Sequence, residues 1–170
     1  MKRLNKAVFL DRDGVINKNY GYVYSVNKFI WLKNVKKAIK YLNNRNYKVI
    51  VISNQSGVAR KIFKEKDVNN LHKWMNLELK KINAKIDKFY FCPFHPKYGN
   101  KYYKKNSYLR KPNPGMLLKA IRKYNINKEK SFMIGDSESD LICAKKAKIK
   151  FFFKKNNLLK DIKRIIKNEN

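Results

Sequence analysis

The stretch Val8-Phe9-Leu10-Asp11-Arg12-Asp13-Gly14-Val15-Ile16-Asn17 decides how this chain is read. Val8 to Leu10 make a short apolar run with the length of a buried parallel strand, which stops at two carboxylates one residue apart and then a glycine. Side chains alternate along an extended segment, so Asp11 and Asp13 leave the strand end on the same side, and Gly14 lets the chain turn at once. Two like charges that close are costly unless a cation lies between them or one keeps a proton. Taken alone, the stretch reads equally well as a strand that ends in a polar turn, so the rest of the chain must separate the two readings.

Working outward, the same pattern recurs. Val49-Ile50-Val51-Ile52 is a buried strand that runs into Ser53-Asn54-Gln55-Ser56-Gly57, and Ser131-Phe132-Met133-Ile134 is another that runs into Gly135-Asp136-Ser137-Glu138-Ser139-Asp140. Phe89 to Cys92 and Ile149 to Phe153 complete five predicted strands. Between them the 3.6-residue spacing predicts helices. The first has Asn34 as cap before Val35, Ala38, Ile39 and Leu42, and a second runs from about Lys66 to Ile82. A third follows Asn113 as cap with Pro114 at its first position and runs to Tyr124, a fourth contains Leu141, Ala144 and Ala147, and a basic one runs from Leu158 to Ile166. His72, on the second helix, reads as a surface or packing residue. Strand and helix alternate throughout, so the expected class is α/β: a Rossmann-like, mostly parallel sheet with helices on both faces, with ligands bound beyond the carboxyl ends of the strands.

The 170 residues suit one domain, 1–170, with 44% hydrophobic and 32% charged residues. The net charge of +30 comes mostly from lysine spread from end to end, which reads as a solvated surface; a nucleic-acid partner would need the charge gathered into a patch with interleaved aromatics. Only 12 acidic residues exist, and Asp11, Asp13, Asp136, Glu138 and Asp140 fall in two short segments, which marks those segments for metal or catalysis. Cys92 and Cys143 make no disulfide framework, and the first apolar run is too short for a signal peptide or a membrane span. These features predict a cytoplasmic protein, a monomer with no membrane contact.

Strand ends converge Asp11, Asp13, Ser53 and Asp136, and the rigid segment Lys111-Pro112-Asn113-Pro114-Gly115 presents Lys111. Carboxylates without imidazole or thiol partners favour a hard cation, Mg²⁺, which commonly completes its shell with phosphate oxygens. Lys111, Ser53 and the backbone amides of a helix expected just after Ser53 are the groups for the remaining phosphate oxygens. One aspartate as nucleophile and the other as proton carrier make an aspartyl-phosphate route feasible. The loop from Lys18 to Ser25 lies next to the acidic strand end and is expected to fold over it.

Asp-Arg-Asp-Gly-Val-Ile-Asn, Ser-Asn-Gln-Ser-Gly-Val-Ala-Arg, Arg-Lys-Pro-Asn-Pro-Gly and Gly-Asp-Ser-Glu-Ser-Asp resemble the four motifs of the haloacid dehalogenase superfamily, in the same order. Within it the chain resembles the heptose bisphosphate phosphatases, close kin of the histidinol-phosphatases, from Phe9 to about Ala147. The resemblance implies that fold without a large cap domain, and removal of the 7-phosphate of D-glycero-D-manno-heptose 1,7-bisphosphate on the route to lipopolysaccharide heptose. Histidinol phosphate or another small phosphomonoester is the alternative, and a polynucleotide 3′-phosphate a more distant one. It implies Asp11 as nucleophile and Asp13 as acid and base. Mg²⁺ would be held by the Asp11 and Asp136 side chains and the Asp13 carbonyl, and Ser53 and Lys111 would steady the phosphoryl group. Substrate contacts are implied for Asn19, Tyr20, Gly21 and Tyr22, for Ser53, Asn54, Gln55 and Ser56, and for Arg110 and Lys111. Members usually carry a zinc loop before the Arg-Lys-Pro segment. Here Cys92 is kept, but Phe94, Ser107 and Leu109 stand at the other three ligand positions, so no zinc site is expected. Aromatic packing by Phe91, Phe94, Tyr98, Tyr102, Tyr103 and Tyr108 is expected to order that loop instead, leaving Lys97, Lys101, Lys104 and Lys105 free.

Overall fold

The computed structural model describes residues 4–155 and 157–168. Five strands, β1 (Lys6–Leu10), β2 (Tyr47–Asn54), β3 (Lys88–Cys92), β4 (Phe132–Gly135) and β5 (Lys150–Phe153), form one sheet in the order β3-β2-β1-β4-β5, parallel at every pairing. Strands buried on both faces need apolar residues at every position, and Val8 to Leu10, Val49 to Ile52 and Phe132 to Ile134 are all fully buried.

Alternation sorts these residues onto two cores. Val8, Leu10, Val49, Val51, Phe132 and Ile134 pack on α1 (Val35–Asn44), α2 (Glu65–Lys80) and α5 (Leu158–Asn168). Ala7, Phe9, Ile50, Ile52 and Met133 pack on α3 (Gly115–Tyr124) and α4 (Glu138–Ala147). The chain runs from β1 outward to β3, then crosses to β4 on the other side of β1. The strand order therefore reverses between β1 and β4, where such sheets open a crevice. No large cap interrupts the segment from Asp11 to Asn34, which holds only loops and a 3-10 turn at Val26–Lys28.

Two helix starts differ from the sequence reading. Asn34 does precede α1, but its backbone is left-handed (φ 64°) and its side chain makes no capping bond. The helix after the Lys-Pro-Asn-Pro segment begins at Gly115, with Pro114 as the cap residue. Nor does a helix follow Ser53. Residues 55–63 form successive turns, closed by bonds such as Arg60 N–H to the Ser56 carbonyl and Ile62 N–H to the Gly57 carbonyl, and α2 starts only at Glu65.

Candidate active site

Register delivers the first carboxylate. Leu10 pairs with Val51 on one side and Ile134 on the other, and the Asp11 N–H donates to the Ile134 carbonyl at 3.1 Å, so Asp11 lies at the reversal point of the sheet. Beyond it the chain closes on itself: the Ile16 and Asn17 N–H groups both donate to the Arg12 carbonyl, and Gly14 N–H to that of Asn17. Gly14 has φ +89°, and a Cβ there would lie 1.8 Å from Asp136 Oδ2. The glycine thus serves both the turn and the approach of β1 to the end of β4.

Lys111 reaches the centre from the loop after β3. Its Nζ donates to Asp11 Oδ1 at 2.6 Å, to Asp140 Oδ1 at 2.5 Å and to the Ile52 carbonyl at 3.1 Å. Burial alone would lower its pKa, but the two carboxylates outweigh burial and hold the ammonium charged. The Asp11 carboxyl is pushed up to about 7 by burial, against the pull of Lys111 and with Asp140 and Asp13 pushing the same way as burial. Burial, then Asp140, raises Asp136 as well. One ammonium does not balance this group of acids, so the site favours a further cation.

Asp11, Asp136 and Asp140 bring one ligand oxygen each to within 4.8 Å of one another. This all-carboxylate donor set fits a hard cation such as Mg²⁺. Asp140 has both oxygens committed, Oδ1 to Lys111 and Oδ2 to the Ser137 N–H and Oγ, where it also closes the first turn of α4. It braces Lys111, while Asp11 and Asp136 face the gap.

The Asp13 carboxylate stands apart from that acid group. It accepts from Asn17 Nδ2 at 2.9 Å, from Gln55 Nε2 at 3.0 Å and from Arg12 Nη2 at 3.0 and 3.1 Å. Gln55 Nε2 also donates to Ser53 Oγ at 2.7 Å, which ties the end of β2 to the end of β1.

Over these groups opens a cavity of about 270 Å³. Of the residues expected to bind substrate, Asn19, Tyr22, Ser53, Asn54, Gln55, Ser56 and Lys111 line it. Tyr20, Gly21 and Arg110 do not. Asn54 clasps the Lys111 backbone in both directions, Nδ2 to its carbonyl and Oδ1 from its N–H, each at 3.0 Å, so its side chain positions Lys111. Val23, in the loop expected to fold over the site, lines the cavity as well, and so do Phe63, Ser137 and Ser139, which carried no signal of their own in the sequence apart from the two serines' place near Asp136. Phe63 stacks on Tyr24 with centroids 4.9 Å apart and packs against Gly57, where a Cβ would meet its ring at 2.0 Å.

The loop between Cys92 and Arg110 is held by aromatic contacts. Phe94 meets Tyr102 and Tyr103 with centroids about 6 Å away, Tyr98 meets His95, and Tyr103 Oη donates to Glu65. Phe91 packs instead with Val58, Phe63 and Val68, and Tyr108 is exposed. Lys105 is not free, because its Nζ lies 4.0 Å from the Phe94 centroid. His72 is a packing residue, buried and stacked on Phe89 at 4.3 Å, and burial followed by the Arg12 charge pushes its pKa down to about 3, so it stays neutral.

Comparison with known proteins adds the family. The family described as polynucleotide kinase 3 phosphatase matches residues 7–155. A D-glycero-beta-D-manno-heptose-1,7-bisphosphate 7-phosphatase of Photorhabdus laumondii is 43% identical over 84% of this chain and 76% of its own. One of Rhodopseudomonas palustris is 45% identical over 86% and 81%. The solved D,D-heptose 1,7-bisphosphate phosphatase of B. bronchiseptica, complexed with magnesium and phosphate, superposes with a TM-score of 0.83 at 25% identity, covering 96% of this chain and 99% of that one. Among the described residues no helix is long and apolar enough to cross a membrane. With the four motifs gathered at one crevice, the chain belongs to the haloacid dehalogenase phosphatases, in the family of the heptose 1,7-bisphosphate 7-phosphatases.

Proposed function

We propose that this chain, acting as a single monomeric domain over residues 1–170, is a Mg²⁺-dependent phosphatase that removes the 7-phosphate of D-glycero-D-manno-heptose 1,7-bisphosphate. The observation that carries the reading is the buried Asp11 carboxylate, gripped by Lys111 on one oxygen and facing Asp136 across an open cavity. The free Asp11 oxygen attacks phosphorus, the bond to the sugar oxygen breaks, and the Asp13 carboxyl gives that oxygen its proton. Asp13, now a base, takes a proton from water whose oxygen attacks the aspartyl phosphate, releasing inorganic phosphate and restoring Asp11. Ser53 Oγ and Lys111 Nζ face the phosphoryl oxygens as charge shifts onto them. The Asp11 and Asp136 side chains and the Asp13 carbonyl would hold Mg²⁺, which would supply the charge that lets an anionic nucleophile meet an anionic phosphate. The two buried free thiols suit a reducing compartment, the cytoplasm.

Two features support a bisphosphate. Tyr22 is shared between the catalytic cavity and an outer recess lined by Arg60, Lys61, Tyr98 and Gly99. The Arg60 guanidinium lies 3.7 Å from the Tyr98 centroid, and Arg110 sits close enough that burial and then Arg60 both lower its pKa. That cationic recess suits the phosphate that is not removed. The same stacked arginine and exposed tyrosine, together with the family description, favour a polynucleotide 3′-phosphate as the second reading. Turnover of the heptose bisphosphate, histidinol phosphate and an oligonucleotide 3′-phosphate, measured from low to high salt, separates these. The heptose ester should have the highest kcat/KM and a shallow salt dependence. A steep fall with salt on a preferred oligonucleotide would move the assignment.

The zinc-free reading of the 92–110 loop rests on Cys92. It is the one thiol kept, Phe94, Ser107 and Leu109 stand where the other ligands would be, and Phe94 and Leu109 pack on the core beside it. Elemental analysis of the purified protein should find no stoichiometric zinc, and a zinc-selective chelator should leave Tm unchanged. One zinc per chain would contradict the ligand reading.

A further inference from the structure

Arg12 is the largest fully buried side chain, in a chain with 35 lysines and only seven arginines. A buried guanidinium costs several kcal/mol unless its partners are good, and here the partners come from four parts of the fold. Nη2 donates to both oxygens of Asp13 at 3.0 and 3.1 Å, to the Val23 carbonyl in the loop over the cavity at 2.5 Å, and to Gln55 Oε1 at 3.2 Å. Nη1 faces the neutral His72 Nε2 on α2 at 3.4 Å. Alternation explains the direction: the residue between two carboxylates that face the cavity turns towards α2.

We infer that Arg12 is a positioning residue that holds the Asp13 carboxylate at the cavity wall and keeps acceptors for its Nη2 hydrogens when that carboxylate turns to the substrate, although its Nε has no partner. The inference rests on the proton-transfer role proposed for Asp13. One terminal nitrogen carries two hydrogens, and here it faces four acceptor oxygens within hydrogen-bond reach. When Asp13 rotates towards the leaving oxygen, the Val23 carbonyl and Gln55 Oε1 remain to take both hydrogens. The buried charge is not stranded, and the rotation is cheap. Gln55 does the same from the other side, since its Nε2 is already shared between Asp13 and Ser53. A lysine ammonium lacks the planar fork that spans His72, Val23, Gln55 and Asp13 together.

A leaving-group comparison in the full chain with Mg²⁺ tests this. Benzyl phosphate loses an alkoxide that needs a proton. p-Nitrophenyl phosphate, of similar size, loses a phenolate that does not. The quantity read is kcat/KM, which covers the steps through loss of the alcohol. Arg12→Met should lower it on benzyl phosphate by about 10 to 100-fold, a fraction of what general acid catalysis is worth, and on the nitrophenyl ester by under about threefold. Arg12→Lys should lie between wild type and Arg12→Met on benzyl phosphate. Asp13→Asn should show the same selectivity more steeply. An equal loss on both esters in Arg12→Met, with Asp13→Asn still selective, overturns the inference and leaves the acid role of Asp13 standing. An unselective Asp13→Asn overturns both. If Arg12→Met does not fold, Arg12→Lys decides: a selective loss on benzyl phosphate supports the inference, and wild-type behaviour or an equal loss on both esters overturns it.

Discussion

Asp11→Asn is expected to reduce turnover by at least about 10⁴-fold, the scale seen when a covalent nucleophile is removed, while leaving the protein folded. The amide is isosteric with the carboxylate but a poor nucleophile. The fold should survive because Lys111 keeps Asp140 at 2.5 Å and the Ile52 carbonyl at 3.1 Å as partners, so no buried cation is left alone. Removing one carboxylate from a crowded acidic group also relieves repulsion, and Tm without metal should stay level or rise. Steady-state assay beside thermal melting checks both parts. Chelation should silence the wild type, with Mg²⁺ restoring it. Retained turnover in Asp11→Asn, or in excess chelator, would remove the aspartyl-phosphate route.

Lys111→Met should be damaging in two separable ways. Without Nζ, the buried carboxylates of Asp11 and Asp140 lose their common partner, and breaking such a buried pair costs on the order of 3–5 kcal/mol. Tm of the metal-free variant should therefore fall clearly, and Mg²⁺ should recover part of the loss because a cation again balances Asp11. With Mg²⁺ present, kcat should drop by about 10² to 10³, the size of losing one preorganised donor to the transferring phosphoryl group, with a smaller change in KM. A variant that melts like wild type and changes only KM would show that Lys111 merely holds substrate.

The parts of this site that could be read from the sequence are those tied to strand ends. Asp11, Ser53 and Asp136 each follow an apolar run, and an open parallel sheet gathers such positions at one edge. Lys111 was legible because Pro112 and Pro114 restrict the chain after it. Asp140 was marked in the sequence by its place in a short acidic segment, but its oxygen on Lys111 was not legible, since that contact spans 29 residues. Arg12 and His72 gave no local signal for the same reason: a buried charge meeting a neutral imidazole 60 residues away leaves no periodicity behind. Asn54 and Gln55, expected to contact substrate, line the cavity, yet their amides bond to Lys111, Asp13 and Ser53, a choice that side-chain type alone does not reveal. Asn34 and Pro114 mark helix starts within a residue, although the expected cap geometry gives way to a left-handed turn and a proline cap.

The family description names a polynucleotide phosphatase, while relatives of more than 40% identity are named for a heptose bisphosphate. The two readings share the chemistry of Asp11 and differ in what the Arg60 and Tyr98 recess receives. Phosphorus NMR of D-glycero-D-manno-heptose 1,7-bisphosphate turned over by the Mg²⁺-loaded enzyme tests the central claim most directly. The account requires inorganic phosphate to appear together with a sugar that keeps only its anomeric 1-phosphate signal. Loss of the 1-phosphate, or no turnover of the bisphosphate by an enzyme that does cleave an oligonucleotide 3′-phosphate, would contradict it.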